Sequence, residues 1–181
     1  PLGEQLLAAF FQSVTPRTAG FNTVDFGKAT GATLLFTILL MFVGASPGST
    51  GGGVKTTSLG VMIALAKSKL KGREDVDIFR ATVSSRAVAR TLSVTILAGF
   101  IIVMFLVAFL WVEIGPRPFG HHEHRVLEYL FEITSAFGTV GLSTGITASL
   151  SVFGKLMLCV VMFIGRIGPL TIAHAVGRRY G

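Results

Sequence analysis

The sequence predicts an all-α membrane protein built on a repeated unit, in which helices flank a short re-entrant loop. Three observations predict it. One long run carries no charge, the chain aligns with itself at a fixed offset, and each aligned copy pairs a short helix with a run of small residues.

Lipid is the expected solvent. Of 181 residues, 51% are hydrophobic and 14% charged, against about 25% charged in a soluble domain. Thr91 to Val112, TLSVTILAGFIIVMFLVAFLWV, holds no charged residue. At about 1.5 Å per residue it spans a hydrocarbon core of about 30 Å. Two further uncharged runs, Ala29 to Val54 and Ile133 to Gly154, are interrupted by glycines and polar residues, so neither reads as a plain helix.

The net charge of +7 is local. Lys67, Lys69, Lys71, Arg73, Arg80, Arg86 and Arg90 crowd one segment between apolar runs, and Arg178 and Arg179 lie near the end. The positive-inside rule places both on the cytoplasmic side. Glu74, Asp75 and Asp77 make the segment mixed, and no aromatics interleave as single-strand binding requires, so nucleic acid is not an expected partner. Residues 113–125, with Pro116, Pro118, His121, His122 and His124, then form an external loop. The histidines lack a spaced partner set and read as a wet loop rather than a metal site. PLGEQ has neither a basic n-region nor an initiator Met, and the chain reads as a piece of a longer one. Cys159, the single cysteine, is expected to pack in its apolar run.

At an offset of 121 residues, the spacing between Gly20 and Gly141, the chain matches itself without a gap. Leu6 falls on Leu127, Phe10 on Phe131, Thr18 on Thr139, Thr23 on Thr144, Met41-Phe42 on Met162-Phe163, Gly44 on Gly165 and Thr50 on Thr171. Internal repeats are frequent in transport proteins. Each copy starts with an amphipathic stretch too short to cross a bilayer, residues 4–14 or 128–137. TAGFNT (18–23) or TVGLST (139–144) follows, and then an apolar segment.

A short helix followed by small residues at membrane depth reads as a re-entrant loop, tolerated only where protein buries it or it lines a watery path. Glycine opens backbone angles closed to other residues, so successive carbonyls can face one axis and replace the water around a monovalent cation. The C-terminus of the short helix adds partial negative charge. The candidate filter is Thr18, Ala19, Gly20, Phe21 and Asn22 with Thr139, Val140, Gly141, Leu142 and Ser143. Gly20 and Gly141 are the expected backbone contacts to the cation. Glu128 and Glu132, one turn apart, are expected at the outer mouth, where they attract cations.

TAGFNT, GASPGSTGGGVKTTS, FGTVGLST and FIGRIGP together resemble the Trk/Ktr/HKT superfamily of potassium transporters, most closely the Ktr-type membrane subunit, over essentially the whole chain. The resemblance implies four units of outer helix, pore loop and inner helix around one pore. Residues 1–66 match the third pore helix, filter loop and broken inner helix, and 67–90 a cytoplasmic linker. Residues 91–181 match the fourth unit: outer helix 91–112, external loop 113–125, pore helix and filter 126–144, inner helix 150–178. The first two units and the third outer helix are absent, so this chain is not expected to close a pore alone. The resemblance also implies a homodimer, a cytoplasmic ring of RCK-type nucleotide-binding subunits, and glycines that favour potassium over sodium.

GASPGSTGGGVKTTS, residues 44–58, superficially resembles a phosphate loop, but Val54 separates Gly53 from Lys55 and no β-strand is expected before it. Gly44, Gly48, Gly51, Gly52 and Gly53 each cost a helix about 1 kcal/mol, and an interior Pro47 about 3 kcal/mol. Ser46, Ser49, Thr50, Thr56 and Thr57 offer hydroxyls to backbone groups freed by the break. The expectation is a broken helix; the resemblance implies a gate loop, Gly44, Ala45, Ser46, Pro47, Gly48, Ser49, Thr50, Gly51, Gly52, Gly53 and Lys55, beneath the filter. The fourth unit instead has Arg166, costly in lipid unless paired or wet. It is expected to face the pore and contact the loop; the alternative is snorkelling to the cytoplasmic interface.

The expected function is potassium translocation across the cytoplasmic membrane by a multi-pass protein, with K+ as cargo, Na+ as a second candidate, and no organic cofactor. The main alternative is a secondary transporter of another solute with a midplane site at the broken helix. No general base stands at a matched position for an enzyme.

Overall fold

The computed structural model describes residues 2–48, 51–72, 75–78, 81–115 and 123–168. Among these described residues, six α-helices and one two-stranded antiparallel pair follow in order: α1 (Leu2–Val14), α2 (Gly31–Phe42), α3 (Thr56–Leu70), β1 (Val76–Ile78), β2 (Ala81–Val83), α4 (Ser85–Phe109), α5 (Glu123–Phe137) and α6 (Val152–Ile167). Hydroxyl caps set several starts. Thr30 Oγ1 accepts from the Thr33 N–H at 3.3 Å, Ser84 Oγ from Ala87 at 3.3 Å, and Ser151 Oγ from Gly154 at 3.0 Å. Each satisfies an orphan donor of a first turn.

Among the described residues, one helix is long and apolar enough to cross a membrane, Ser85–Ile114. It begins before the uncharged run at Thr91 because Ser84 caps it and Arg86 and Arg90 are good helix formers. Its last turn, Leu110–Ile114, is a π-helix. That turn brings Glu113 to the start of α6, where Ser151 Oγ donates to Glu113 Oε1 at 2.6 Å. The segment expected to be a solvated linker, 67–90, is more ordered than its charge suggests. It contains the end of α3, a hairpin pairing Val76 with Val83, and the start of α4. Val76 is buried and Ser68 Oγ donates to the Asp75 carbonyl, which pins the hairpin to α3. Arg73, Glu74, Arg80, Pro116, Pro118, His121, His122 and residues 169–181, including Arg178 and Arg179, lie outside the described residues. The expected inner helix 150–178 is therefore described only as α6.

The core is organised around α5. Tyr129, Ile133, Ala136 and Phe137 pack with Ala98, Ile102 and Phe109 of α4 and Leu158 and Val161 of α6. Phe131 packs into a second cluster with Leu34, Ile38 and Met41 of α2, and with Phe26, Val140 and Leu142. The α2 contribution, Leu34, Thr37, Ile38 and Met41, has the spacing of one helix face. The ring centroids of Phe26 and Phe131 are 5.3 Å apart, and those of Phe109 and Tyr129 5.8 Å. By contrast α1 buries no residue.

Candidate functional site

The two small-residue segments share an unusual backbone. Among the described residues, Thr18 (φ 67°) and Thr139 (φ 52°) are the non-glycine residues with positive φ. They stand at equivalent positions of the 121-residue offset, and such angles cost about 1–3 kcal/mol unless the surroundings impose them. Gly20 (φ 74°) and Gly141 (φ 92°) follow two residues later. A Cβ on Gly20 would lie 2.1 Å from the Val140 carbonyl oxygen, and one on Gly141 3.7 Å from Gly20 Cα. The glycines of the two segments thus adjoin one another.

The helix before each segment holds it from behind. Thr15 Oγ1 accepts from the Phe21 N–H at 3.0 Å and donates to the Phe21 carbonyl at 3.0 Å. Ser135 Oγ donates to the Leu142 carbonyl at 2.6 Å. The carbonyls of Phe21 and Leu142 are therefore directed at the helices. Among the described residues, no hydrogen bond is made to the carbonyls of Thr18, Ala19, Gly20, Thr139, Val140 or Gly141. Of these six residues Val140 is buried, Thr18, Gly20 and Thr139 are half-buried, and Ala19 and Gly141 are exposed. Asn22 Nδ2 donates to the Ser143 carbonyl at 3.2 Å and ties the two segments together.

The glycine loop meets both segments. As its composition predicts, the helix breaks between Phe42 and Thr56; Thr56, Thr57 and Ser58 belong to α3. The loop closes on itself, with Val43 and Val54 bridged and the Gly44 N–H donating to the Val54 carbonyl at 2.8 Å. The Gly52 N–H donates to Thr139 Oγ1 at 2.8 Å. A Cβ on Gly51 would come within 2.8 Å of Thr18 Oγ1, and one on Gly52 within 2.9 Å of Thr139 Oγ1 and of the Gly165 carbonyl. Only glycine lets the backbone approach this closely. Lys55 Nζ folds back and donates to the Gly51 carbonyl. Ala45 accepts from the Thr56 N–H at 3.4 Å, and Ser46, Pro47 and Gly48 continue the loop. Ser49 and Thr50 lie outside the described residues.

Arg166 is exposed and borders a cavity of about 670 Å³ that it shares with Thr139, Gly141 and Glu132. The adjoining Gly165 carries the close approach of α6 to the loop. Two expectations are corrected. Cys159 does not pack inside: it is exposed and lines the same cavity. Glu132 is not an exposed charge: it is 5% exposed and accepts bonds from Ser143, Thr144 and Thr147. Glu128 is half-buried. The hydroxyl-rich run Ser143, Thr144, Thr147 was the available sign that an acceptor would face it.

Residues 1–177 match the family model of TrkH, described as a cation transport protein. The chain is 40% identical over 175 residues to the Ktr system potassium uptake protein B of Bacillus subtilis, and 42% identical over 176 residues to the protein of the same name from Vibrio alginolyticus. It is 37% identical over 174 residues to the potassium/sodium uptake protein NtpJ of Enterococcus hirae. These matches cover 97%, 97% and 96% of this chain and 37% of each relative. The chain thus spans little more than a third of the length of these relatives. With the family model covering nearly every residue, and the sequence motifs lying where the two segments and the glycine loop converge, the chain belongs to the TrkH family of cation transport proteins.

Proposed function

We propose that this chain supplies part of a potassium pathway across the cytoplasmic membrane. Thr18–Asn22 and Thr139–Ser143 are two of its carbonyl-lined filter loops, and residues 44–58 form an intramembrane gate below them. The observation that carries the reading is the seating of Gly51 and Gly52 against Thr18 and Thr139. A filter loop needs unpaired carbonyls, and a gate needs a glycine backbone thin enough to reach the axis. The names of the relatives, which concern uptake of potassium or of potassium and sodium, support the cargo. The repeated outer helix, pore loop and inner helix are part of this reading, as is a multi-pass arrangement. α4 would be the outer helix, α1 and α5 the pore helices, and α2–α3 and α6 the inner helices. Gly20 and Gly141 would contact K+ through their backbone, and Arg166 would face the loop.

The word "system" in the relatives' names supports a multi-component assembly. We place an RCK-type regulatory ring against the α3 end and the hairpin, with the membrane subunit a homodimer. The test is uptake of potassium or rubidium into vesicles by the full-length protein, alongside Gly141→Ser. Selective uptake by the parent and weakened exclusion of sodium by the variant are expected. Absence of cation uptake by folded parent, with its cytoplasmic partner present, would overturn the reading in favour of another solute.

A further inference from the structure

Glu132 is a buried carboxylate with four donors on it. Oε1 accepts from Ser143 Oγ at 2.7 Å, from the Thr144 N–H at 2.9 Å and from Thr144 Oγ1 at 3.1 Å. Oε2 accepts from Thr147 Oγ1 at 2.8 Å. Ser143 Oγ in turn accepts from the Gly145 N–H at 2.9 Å. The stretch 143–147 is therefore strung on one side chain of α5. It begins directly after Leu142, whose carbonyl is held by Ser135 of the same helix. A buried carboxylate is tolerated only when its lone pairs are used, and four donors use them.

The other copy lacks this brace. The offset of 121 places Phe11 opposite Glu132, Asn22 opposite Ser143 and Phe26 opposite Thr147. Phe11 is 37% exposed, and Phe26 packs on Phe131 instead of bonding to α1. Among the described residues, one side-chain bond beyond the Thr15 clasp ties α1 to its following loop, from Gln12 Nε2 to Thr23 Oγ1 at 2.7 Å, and it is neutral. Bonds to a carboxylate are roughly twice as strong as neutral ones. One segment is thus clamped at its outer end by charge-assisted bonds, while its counterpart is held more loosely.

We infer that Glu132 is a positioning residue that fixes the outer end of the 139–143 segment and so sets its discrimination between potassium and sodium. The inference rests on the filter reading above. Discrimination by carbonyls requires that they not contract around the smaller ion. A clamp just beyond the last carbonyls opposes that contraction without touching the ion.

The experiment measures sodium's competition with rubidium uptake by the full-length protein in vesicles, for parent, Glu132→Ala, Glu132→Gln and Thr147→Val. Thermal unfolding in detergent is recorded beside it. Glu132→Ala removes all four bonds and is expected to raise sodium's competition tenfold or more, a change of about 1.4 kcal/mol per factor of ten. Glu132→Gln keeps an acceptor for Ser143 and Thr144 and should fall between parent and alanine. Thr147→Val removes the Oε2 bond alone and should loosen selectivity in the same direction, which keeps the inference testable should the alanine variant not fold. Two results overturn it: parent-like selectivity in all variants, or an equal rise in the potassium KM of alanine and glutamine variants at unchanged selectivity. The latter would mark Glu132 as an attractive charge. A parent that takes up no potassium overturns the filter reading and this inference together, whereas a selective parent with selective variants overturns this inference alone.

Discussion

Asn22 and Ser143 are bonded to each other, Nδ2 to carbonyl at 3.2 Å, and they are 121 residues apart. That spacing is the offset at which the chain matches itself, so equivalent points of two copies meet across one contact. The contact is not between identical residues, and the copies differ in what holds them. Gly20 and Gly141 adjoin beside this contact, a Cβ on Gly141 lying 3.7 Å from Gly20 Cα.

Gly20 and Gly141 should respond differently to alanine. Both have positive φ, which costs an L-residue about 1–2 kcal/mol. Only at Gly20 does the added Cβ also strike backbone, at 2.1 Å from the Val140 carbonyl oxygen, whereas at Gly141 the nearest atom is 3.7 Å away. Gly20→Ala should therefore lower both the yield of folded protein and uptake severely. Gly141→Ala should fold and transport with altered selectivity. Fluorescence-detected size exclusion and rubidium uptake on the same preparations check the order, and equal folding defects would contradict it.

The glycine loop offers a second contrast. A Cβ on Gly52 would lie 2.9 Å from both the Gly165 carbonyl and Thr139 Oγ1, while one on Gly60, within α3, meets nothing within 4 Å. Gly52→Ala must push the loop away from Thr139 and break the bond from its N–H. Basal cation flux without the proposed regulatory partner should rise several-fold. Gly60→Ala should leave flux as it is and stabilise α3 by about 1 kcal/mol. Flux assays in the absence of partner distinguish the two.

Helix packing beneath the site depends on Gly165. A Cβ there would lie 1.9 Å from the Phe137 carbonyl oxygen and 2.7 Å from its carbon. Neither backbone can yield without separating α6 from α5. Gly165→Ala should destabilise the fold by at least about 1–3 kcal/mol, the usual range for overpacking. A lowered unfolding temperature in detergent is the expected readout.

Much of this was legible in the sequence, and the reasons are specific. The break after Phe42 was readable because glycines and Pro47 oppose a helix whatever surrounds them. The two segments were readable because Thr18 and Gly20 recur as Thr139 and Gly141 in order. What local sequence hides is which neighbour covers a helix. Phe10 and Phe131 occupy equivalent positions, yet Phe10 is 68% exposed and Phe131 fully buried, because α2 packs on α5 while α1 buries none of its residues. Glu132 looked like a surface charge for the same reason, since its partners lie 11 to 15 residues downstream. The hairpin at 76–83 was obscured by the charges around it. The true start of α4 was missed because a count of uncharged residues stops at Arg90, while a helix does not.

Arg166 carries the last prediction. It follows Gly165, whose carbonyl faces Gly52, and it borders the cavity that also reaches Thr139 and Gly141. If the proposed path runs through that cavity, a cation there would raise the barrier to another, by about 4 kcal/mol at 4 Å for an effective dielectric of 20 and by less with distance. Glutamine keeps much of the length and hydrogen-bonding capacity but removes the charge. Arg166→Gln should therefore raise basal potassium flux and weaken its dependence on the regulatory partner. It should leave selectivity close to that of the parent, since the proposed filter carbonyls are untouched. Concentrative rubidium uptake with and without partner reads the first effect, and sodium competition reads the second. Unchanged flux and unchanged gating would return Arg166 to the role of a helix-end side chain at the cytoplasmic interface, and the glycine loop would then have to close the path through its contacts with Thr18 and Thr139 alone.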